Sequence, residues 1–282
     1  MLFPAQRRFI HRNPAGGRPC TGLLARGQIP ILILILILFF LPLAGCGGQS
    51  KNGPLLISAA ANLQPVLTAL TPALQEAVGM DVVFNYGSSG RLAQQIEQGA
   101  PVDLFLSANE DYVEELLPAG LLDANSITPF ASGCLVIWTR DDHLLLESFQ
   151  DLTRPEIQRI AMPNPDHAPY GAAARQALQA TGLWEAVQPK LVFGENVTQS
   201  YQFAQAGDVE AAFVSASQVI SEKGHWIAAP PGLYPPLKQT AAVAARSLRP
   251  NAAQTVVQFL LSPAAQGLLR QFGYLPIHEA SS

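Results

Sequence analysis

From Pro54 onward the chain alternates short apolar runs with stretches whose apolar residues recur every three or four positions. Pro54-Leu55-Leu56-Ile57-Ser58 reads as a buried parallel strand. Leu63, Val66, Leu67, Leu70, Leu74 and Val78 then predict a helix over 62–78 that stops at Gly79. A strand over 82–86 precedes a helix carrying Leu92 and Ile96 and ended by Gly99. A third strand over 102–106 precedes a helix carrying Val113, Leu116 and Leu117 and ended by Gly120. Three strand–helix units in succession imply a parallel sheet with right-handed crossovers. Another apolar strand starts at Cys134, followed by a proline-rich region (Pro163, Pro165, Pro169) and a helix over 171–181. A strand over 191–193, a helix from Asn196 and a strand over 211–214 come next. A returning strand over 240–244 and amphipathic stretches around 256–261 and 268–272 complete the pattern. The expected architecture is open, doubly wound α/β, compatible with two lobes joined by crossings near Ser132 and Gln239.

The first part of the chain is different. Positions 29–43 are almost wholly aliphatic, shorter than the ~18 residues of a spanning helix. Five arginines (Arg7, Arg8, Arg12, Arg18, Arg26) precede this run, and the first acidic residue is Glu76. Basic, then apolar, then small is the layout of an export signal. The run closes on Leu43-Ala44-Gly45-Cys46, which resembles a bacterial lipobox. That resemblance implies cleavage before Cys46 and acylation of its thiol. Residues 1–45 are therefore expected to be a lipoprotein signal peptide and 46–53 a flexible tether. The protein is expected to be exported and lipid-anchored to the cell membrane on its periplasmic, extracytoplasmic face.

Composition narrows the function. The 282 residues are 49% hydrophobic and 13% charged, enough for two modest lobes or one large domain. The net charge of −4 becomes −9 once the basic leader is set aside, which excludes a nucleic-acid partner. Of three cysteines, Cys20 leaves with the signal and Cys46 takes the lipid. Cys134, in an apolar run, is a core residue without a disulfide partner. The five histidines are scattered, so no cation site is expected. Gly87-Ser88-Ser89-Gly90-Arg91 departs from the G-x-S-x-G of an esterase at Arg91, no histidine is tied to a serine, and no P-loop occurs. A non-enzymatic protein without a cofactor is the expectation, any ATPase being a separate subunit.

In open α/β sheets, ligands sit at the carboxyl ends of strands beside helix N-termini. Three junctions have suitable residues: Ser58-Ala59-Ala60-Ala61-Asn62, with Asn62 placed to cap the next helix; Gly87-Ser88-Ser89-Gly90; and Glu195-Asn196-Val197-Thr198. Each alone reads as an ordinary cap. Together they offer neutral backbone donors and positive dipole ends, an anion site without Lys or Arg.

These stretches resemble a known family. Ser58-Ala59-Ala60-Ala61-Asn62-Leu63, Tyr86-Gly87-Ser88-Ser89-Gly90-Arg91-Leu92 and Gly99-Ala100-Pro101-Val102-Asp103-Leu104-Phe105-Leu106-Ser107-Ala108 look like the periplasmic molybdate-binding proteins of ABC importers. Pro165-Asp166-His167-Ala168-Pro169-Tyr170-Gly171 and Gly194-Glu195-Asn196-Val197 match two further motifs. The resemblance implies a type II periplasmic-binding-protein fold of two α/β lobes, each a mostly parallel sheet flanked by helices, with the ligand in the cleft. It implies lobe 1 at 54–132 plus 245–282 and lobe 2 at 133–244. It also implies the molybdate ligands: Asn62 through side chain and backbone, Ser89, the backbone N–H groups of Tyr170 and Val197, and Ser215. Ser215 stands where some members have a tyrosine, so Ala61 or Ser88 is an alternative fifth contact. The implied partners are an ABC permease and ATPase, with the binding protein a monomer.

Molybdate, tungstate and sulfate are fully deprotonated near neutral pH and need donors only, whereas phosphate also needs a carboxylate for its remaining proton. The expected ligand is molybdate, with tungstate. The rival is another oxyanion such as sulfate, or a small organic anion, for which an arginine clamp is expected. Arg91 reads as a surface or permease-facing residue and His167 as a loop-fixing one.

Overall fold

A computed structural model describes residues 53–230 and 232–277. The expected signal peptide, the lipidation site Cys46 and the tether up to residue 52 lie outside the described residues. The chain begins with β1 (Leu55–Ala60), a 3-10 turn (Ala61–Leu63), α1 (Gln64–Val78), β2 (Val82–Gly87) and α2 (Ser89–Glu97). It continues through β3 (Leu104–Ser107), α3 (Asp111–Leu116), β4 (Thr128–Gly133), β5 (Leu135–Thr139) and β6 (Ile160–Pro163). Then come α4 (Pro169–Ala180), α5 (Trp184–Val187), β7 (Leu191–Gly194), α6 (Val197–Ala206) and β8 (Ala211–Ser215). The last elements are α7 (Ala216–Val219), β9 (His225–Ala228), β10 (Leu237–Val243), α8 (Pro250–Leu260) and α9 (Pro263–Gln271).

Two five-stranded sheets result, ordered β2-β1-β3-β10-β4 and β7-β6-β8-β5-β9. In each, three neighbours pair in parallel and one strand, β10 or β5, is antiparallel to both of its neighbours. Four strands of five therefore point the same way in each lobe. The reversed strands are the ones the chain forms immediately after passing between lobes, at Cys134 and again between β9 and β10.

That second passage corrects the expected boundary. Residues 237–243 do not belong to lobe 2, because β10 pairs with β3 (Ala242 with Phe105, Val243 with Leu104) and with β4. Its alanines and valine are buried on both faces, which suits an inner strand. Periodicity marks β10 as a strand but says nothing of which sheet it completes. Strands β4, β6 and β9 were not legible as strands. β4 carries Pro129 at the sheet edge, where a missing N–H is tolerated, and the register against β10 slips there.

The C-terminal segment is bound to lobe 1 by a buried ion pair. Asp103, fully buried just before β3, accepts from Arg249 Nη1 at 2.9 Å, Ser247 Oγ at 2.7 Å and the Leu56 N–H at 2.9 Å. Helices α8 and α9 thus return to cover the first sheet. Among the described residues, no helix is long and apolar enough to cross a membrane.

Candidate anion-binding site

Four strand ends, two from each lobe, point their following helical turns at one small cavity. Ala60, Ala61 and Asn62 come from the end of β1; Gly87, Ser88 and Ser89 from the end of β2. Ala168, Pro169 and Tyr170 enter at the start of α4, and Asn196 and Val197 at the start of α6. The cavity is small. No acidic or basic side chain lines it among the described residues.

Three of these four helical starts carry no side-chain cap, as is also true of α1, α3, α5 and α8. A buried helix N-terminus leaves N–H groups that a capping side chain normally satisfies. Here the 3-10 turn, α2 and α4 begin at Ala60, Ser88 and Ala168, none of which makes a side-chain cap bond. Only α6 is capped: Asn196 Oδ1 accepts from the N–H groups of Thr198 and Gln199 at 3.0 and 3.1 Å, and the N–H of Val197 precedes them. Pro169 opens α4 without an N–H, so Tyr170 has the first donor of that helix. The Gly90 N–H of α2 is taken by the His167 carbonyl, and the N–H groups left over at these starts suit an anion.

Ser89 adds a side-chain donor. Its hydroxyl, wholly buried, accepts from the Ala108 N–H at 3.0 Å. One bond is thereby filled on the acceptor side, which leaves the single hydroxyl proton for the cavity. Ala108, at the end of β3, is a part of the site the sequence reading did not single out.

Of the five residues expected as ligands, the structure gathers Asn62, Ser89, Tyr170 and Val197 around the cavity; Ala61 and Ser88 line it too. Ser215 does not line it. Its hydroxyl instead accepts from Ser217 N and contacts Tyr170 OH at 3.0 Å and Ser217 Oγ at 2.9 Å, so it caps α7. Asn62 requires two corrections. It lies inside the 3-10 turn rather than capping the next helix. Its carboxamide donates to Gln239 Oε1 at 2.8 Å and Tyr274 OH at 3.0 Å, so both side-chain N–H groups are taken and the backbone N–H is the donor left to it. Gln239 and Tyr274 are far away in sequence, and no local pattern pairs them with Asn62.

The two lobes touch beside this cavity. Gly90 N–H donates to the His167 carbonyl at 3.0 Å, and Ser88 Oγ lies 2.9 Å from His167 Nδ1. A Cβ on residue 90 would stand 2.8 Å from that carbonyl oxygen, so the approach requires glycine. Burial, together with the charge of Arg91, lowers the pKa of His167 below its ordinary value. Farther out, Arg91 Nε and Glu195 Oε2 face each other across the lobes at 3.7 Å, both largely exposed. Thr198 Oγ1 reaches the Ala61 carbonyl at 3.4 Å.

Comparisons with known proteins agree with this geometry. A family model described as bacterial extracellular solute-binding protein matches residues 55–275. The molybdate-binding protein ModA of Rhodobacter capsulatus is 33% identical over 82% of this chain and 92% of its own length. A putative ABC transporter substrate-binding lipoprotein of Bacillus subtilis is 32% identical over 65% of this chain and 73% of its own. The structure of the periplasmic molybdate-binding protein of Azotobacter vinelandii superimposes with a TM-score of 0.75 at 29% identity, covering 78% of this chain and 98% of that one. Paired five-stranded sheets, an uncharged cavity between them and similarity along nearly the whole described chain lead to one conclusion: the chain belongs to the bacterial extracellular solute-binding protein family.

Proposed function

We propose that this protein captures molybdate, and tungstate with it, outside the cytoplasm and delivers it to an ABC importer. The observation that carries the reading is the convergence of three uncapped helical starts and the N-terminus of α6, from both lobes, on a cavity without charged side chains. In it, the N–H groups of Asn62, Tyr170 and Val197 and the hydroxyl of Ser89 are the donors, with Ala61 or Ser88 supplying a further one. Hydrogen bonds to a charged acceptor contribute about 1.5–3 kcal/mol each, so several hold a dianion without a cation. No carboxylate is present to accept a proton, which disfavours monoprotonated phosphate. Similarity to molybdate-binding proteins of Rhodobacter and Azotobacter supports molybdate over the other oxyanions.

The partners in this reading are a membrane permease and an ATPase, which the chain meets as a monomer and serves as a binding protein rather than an enzyme. The Leu43–Cys46 sequence and the similarity to a Bacillus lipoprotein support lipid anchoring at Cys46. Calorimetric titration of anion-stripped protein with molybdate, tungstate, sulfate and phosphate tests the function. Tight binding of the first two with weak sulfate and no phosphate response is expected. Silence toward molybdate and tungstate refutes the reading.

A further inference from the structure

Beneath the cavity runs an unbroken line of three buried hydroxyls. Tyr170 OH lies 3.0 Å from Ser215 Oγ, Ser215 Oγ lies 2.9 Å from Ser217 Oγ, and Ser217 Oγ donates to the Asn62 carbonyl at 2.8 Å. Tyr170, Ser215 and Ser217 are each at least 96% buried. A carbonyl only accepts, and each hydroxyl has one proton. Ser215 donates to Tyr170 OH and Ser217 to the Asn62 carbonyl, and the two serine hydroxyls pack against each other. The ends of the line are two residues that line the cavity from opposite lobes.

Both ends are fixed. At the phenol end, a Cβ on Gly133 would lie 2.1 Å from Tyr170 OH, so the tyrosine presses directly on the strand where the chain leaves lobe 1. At the other end, the Asn62 carbonyl also accepts from Tyr274 OH at 2.7 Å, while the Asn62 carboxamide holds Gln239. The peptide groups on either side of Asn62 thus have little freedom to turn. None of this touches the cavity, since Ser215 and Ser217 do not line it.

We propose that Ser217, acting through Ser215 and the Tyr170 phenol, is a positioning residue that sets the spacing between the lobe 1 and lobe 2 donors, and so selects among tetrahedral dianions by size. The inference rests on the cavity being an oxyanion site. Molybdate and sulfate share charge and shape and differ chiefly in size, so uncharged donors distinguish them only through their separation. The buried hydroxyls join the two donor loops behind the cavity, beside the Gly90–His167 and Thr198–Ala61 contacts at its rim, and so help to fix that separation. Removing Ser217 takes away the lobe 2 contact of the Asn62 carbonyl, which Tyr274 alone then holds.

The test compares Ser217→Ala and Tyr170→Phe with the unaltered protein, measuring molybdate and sulfate affinity and the melting of the ligand-free form. Tyr170→Phe keeps the backbone donor and breaks the line from its other end. Ser217→Ala is expected to weaken molybdate about tenfold and sulfate much less, so that the preference between them shrinks. Tyr170→Phe is expected to shift the preference the same way, and the double variant to lose less than the two losses combined. If Ser217→Ala and Tyr170→Phe both retain the wild-type preference, the positioning role is overturned, including where both anions weaken equally alongside a lower melting temperature. If the unaltered protein does not bind molybdate at all, it is the reading of the cavity that fails.

Discussion

Replacing Ser89 with alanine removes one oxygen from the cavity wall and separates two roles that the atom fills at once. The hydroxyl accepts the Ala108 N–H at 3.0 Å in the protein whether or not an anion is bound. Among the described residues its proton has no acceptor, and in the proposed site it serves the anion. Losing the proton costs binding one hydrogen bond to a charged acceptor, about 1.5–3 kcal/mol, or roughly 10- to 150-fold in Kd. Losing the acceptor leaves the buried Ala108 N–H without a partner in both states. That penalty, about 1–3 kcal/mol, falls on stability and cancels from affinity. For a chain of this size each kcal/mol shifts melting by about 2–4 °C, so the ligand-free variant should melt about 2–12 °C lower. Calorimetric titration with molybdate and a thermal scan of the anion-free protein give the two quantities independently. A lowered melting temperature with wild-type affinity would refute the argument, since Ser89 would then be only a strut for β3. Lost affinity with unchanged melting would refute the Ala108 half.

Three other outcomes follow from the same geometry. Arg91→Ala should change molybdate affinity by at most about fivefold, and less at high salt, because its pair with Glu195 is exposed at 3.7 Å; a larger loss at high salt would make Arg91 a ligand. Asp103→Ala strands a charge and should cost about 3–5 kcal/mol in chemical denaturation, while the protein that remains folded binds molybdate normally; a stable variant would contradict the buried pair. His167 has a lowered pKa because burial and Arg91 oppose the imidazolium, so the unfolded chain takes up this proton first as pH falls below 6.5. The stability present above pH 6.5 is then lost progressively toward the lower folded pKa, and His167→Gln should flatten that part of a melting-versus-pH curve; an identical slope in the variant would remove His167 as its source.

The sequence pattern located β1 to β3 and the helices between them because each strand is a continuous apolar run and each helix ends on a glycine or breaks its period. It missed β4, whose Thr128-Pro129-Phe130-Ala131-Ser132-Gly133 has neither alternation nor an apolar run, and β9, a four-residue edge strand. Assigning β10 to lobe 2 was an error of a different kind. Pairing with β3 is a contact more than a hundred residues long in sequence, and nothing in 237–243 encodes its partner. The site divides along the same line. Ser89 and Val197 stand at strand-to-helix junctions that the local pattern marks, whereas Tyr170 is reached only through the family resemblance, because β6 before it has no legible strand pattern. The side-chain partners of Asn62 and Ser215 were not legible, because Gln239, Tyr274, Tyr170 and Ser217 meet them only after both sheets have formed.

That division has a consequence for how such a site holds its anion. Had Asn62 bound through its carboxamide, one side-chain torsion would place the donor, and the donor would relax as it does so. With the carboxamide fixed to Gln239 and Tyr274, the donor in the proposed site is the peptide N–H, whose position is set by β1 and the turn that follows. The same holds at Tyr170 and Val197, each placed by a strand and the first turn of a helix. A backbone donor has no rotamers to order on binding, so each such bond reaches the anion without the side-chain entropy that an arginine or lysine loses. It also cannot follow an anion of the wrong size. An uncharged site assembled from helix starts is therefore selective to the extent that its lobes are held at one separation, and the buried residues behind Asn62 and Tyr170 control that separation as much as any atom facing the ligand.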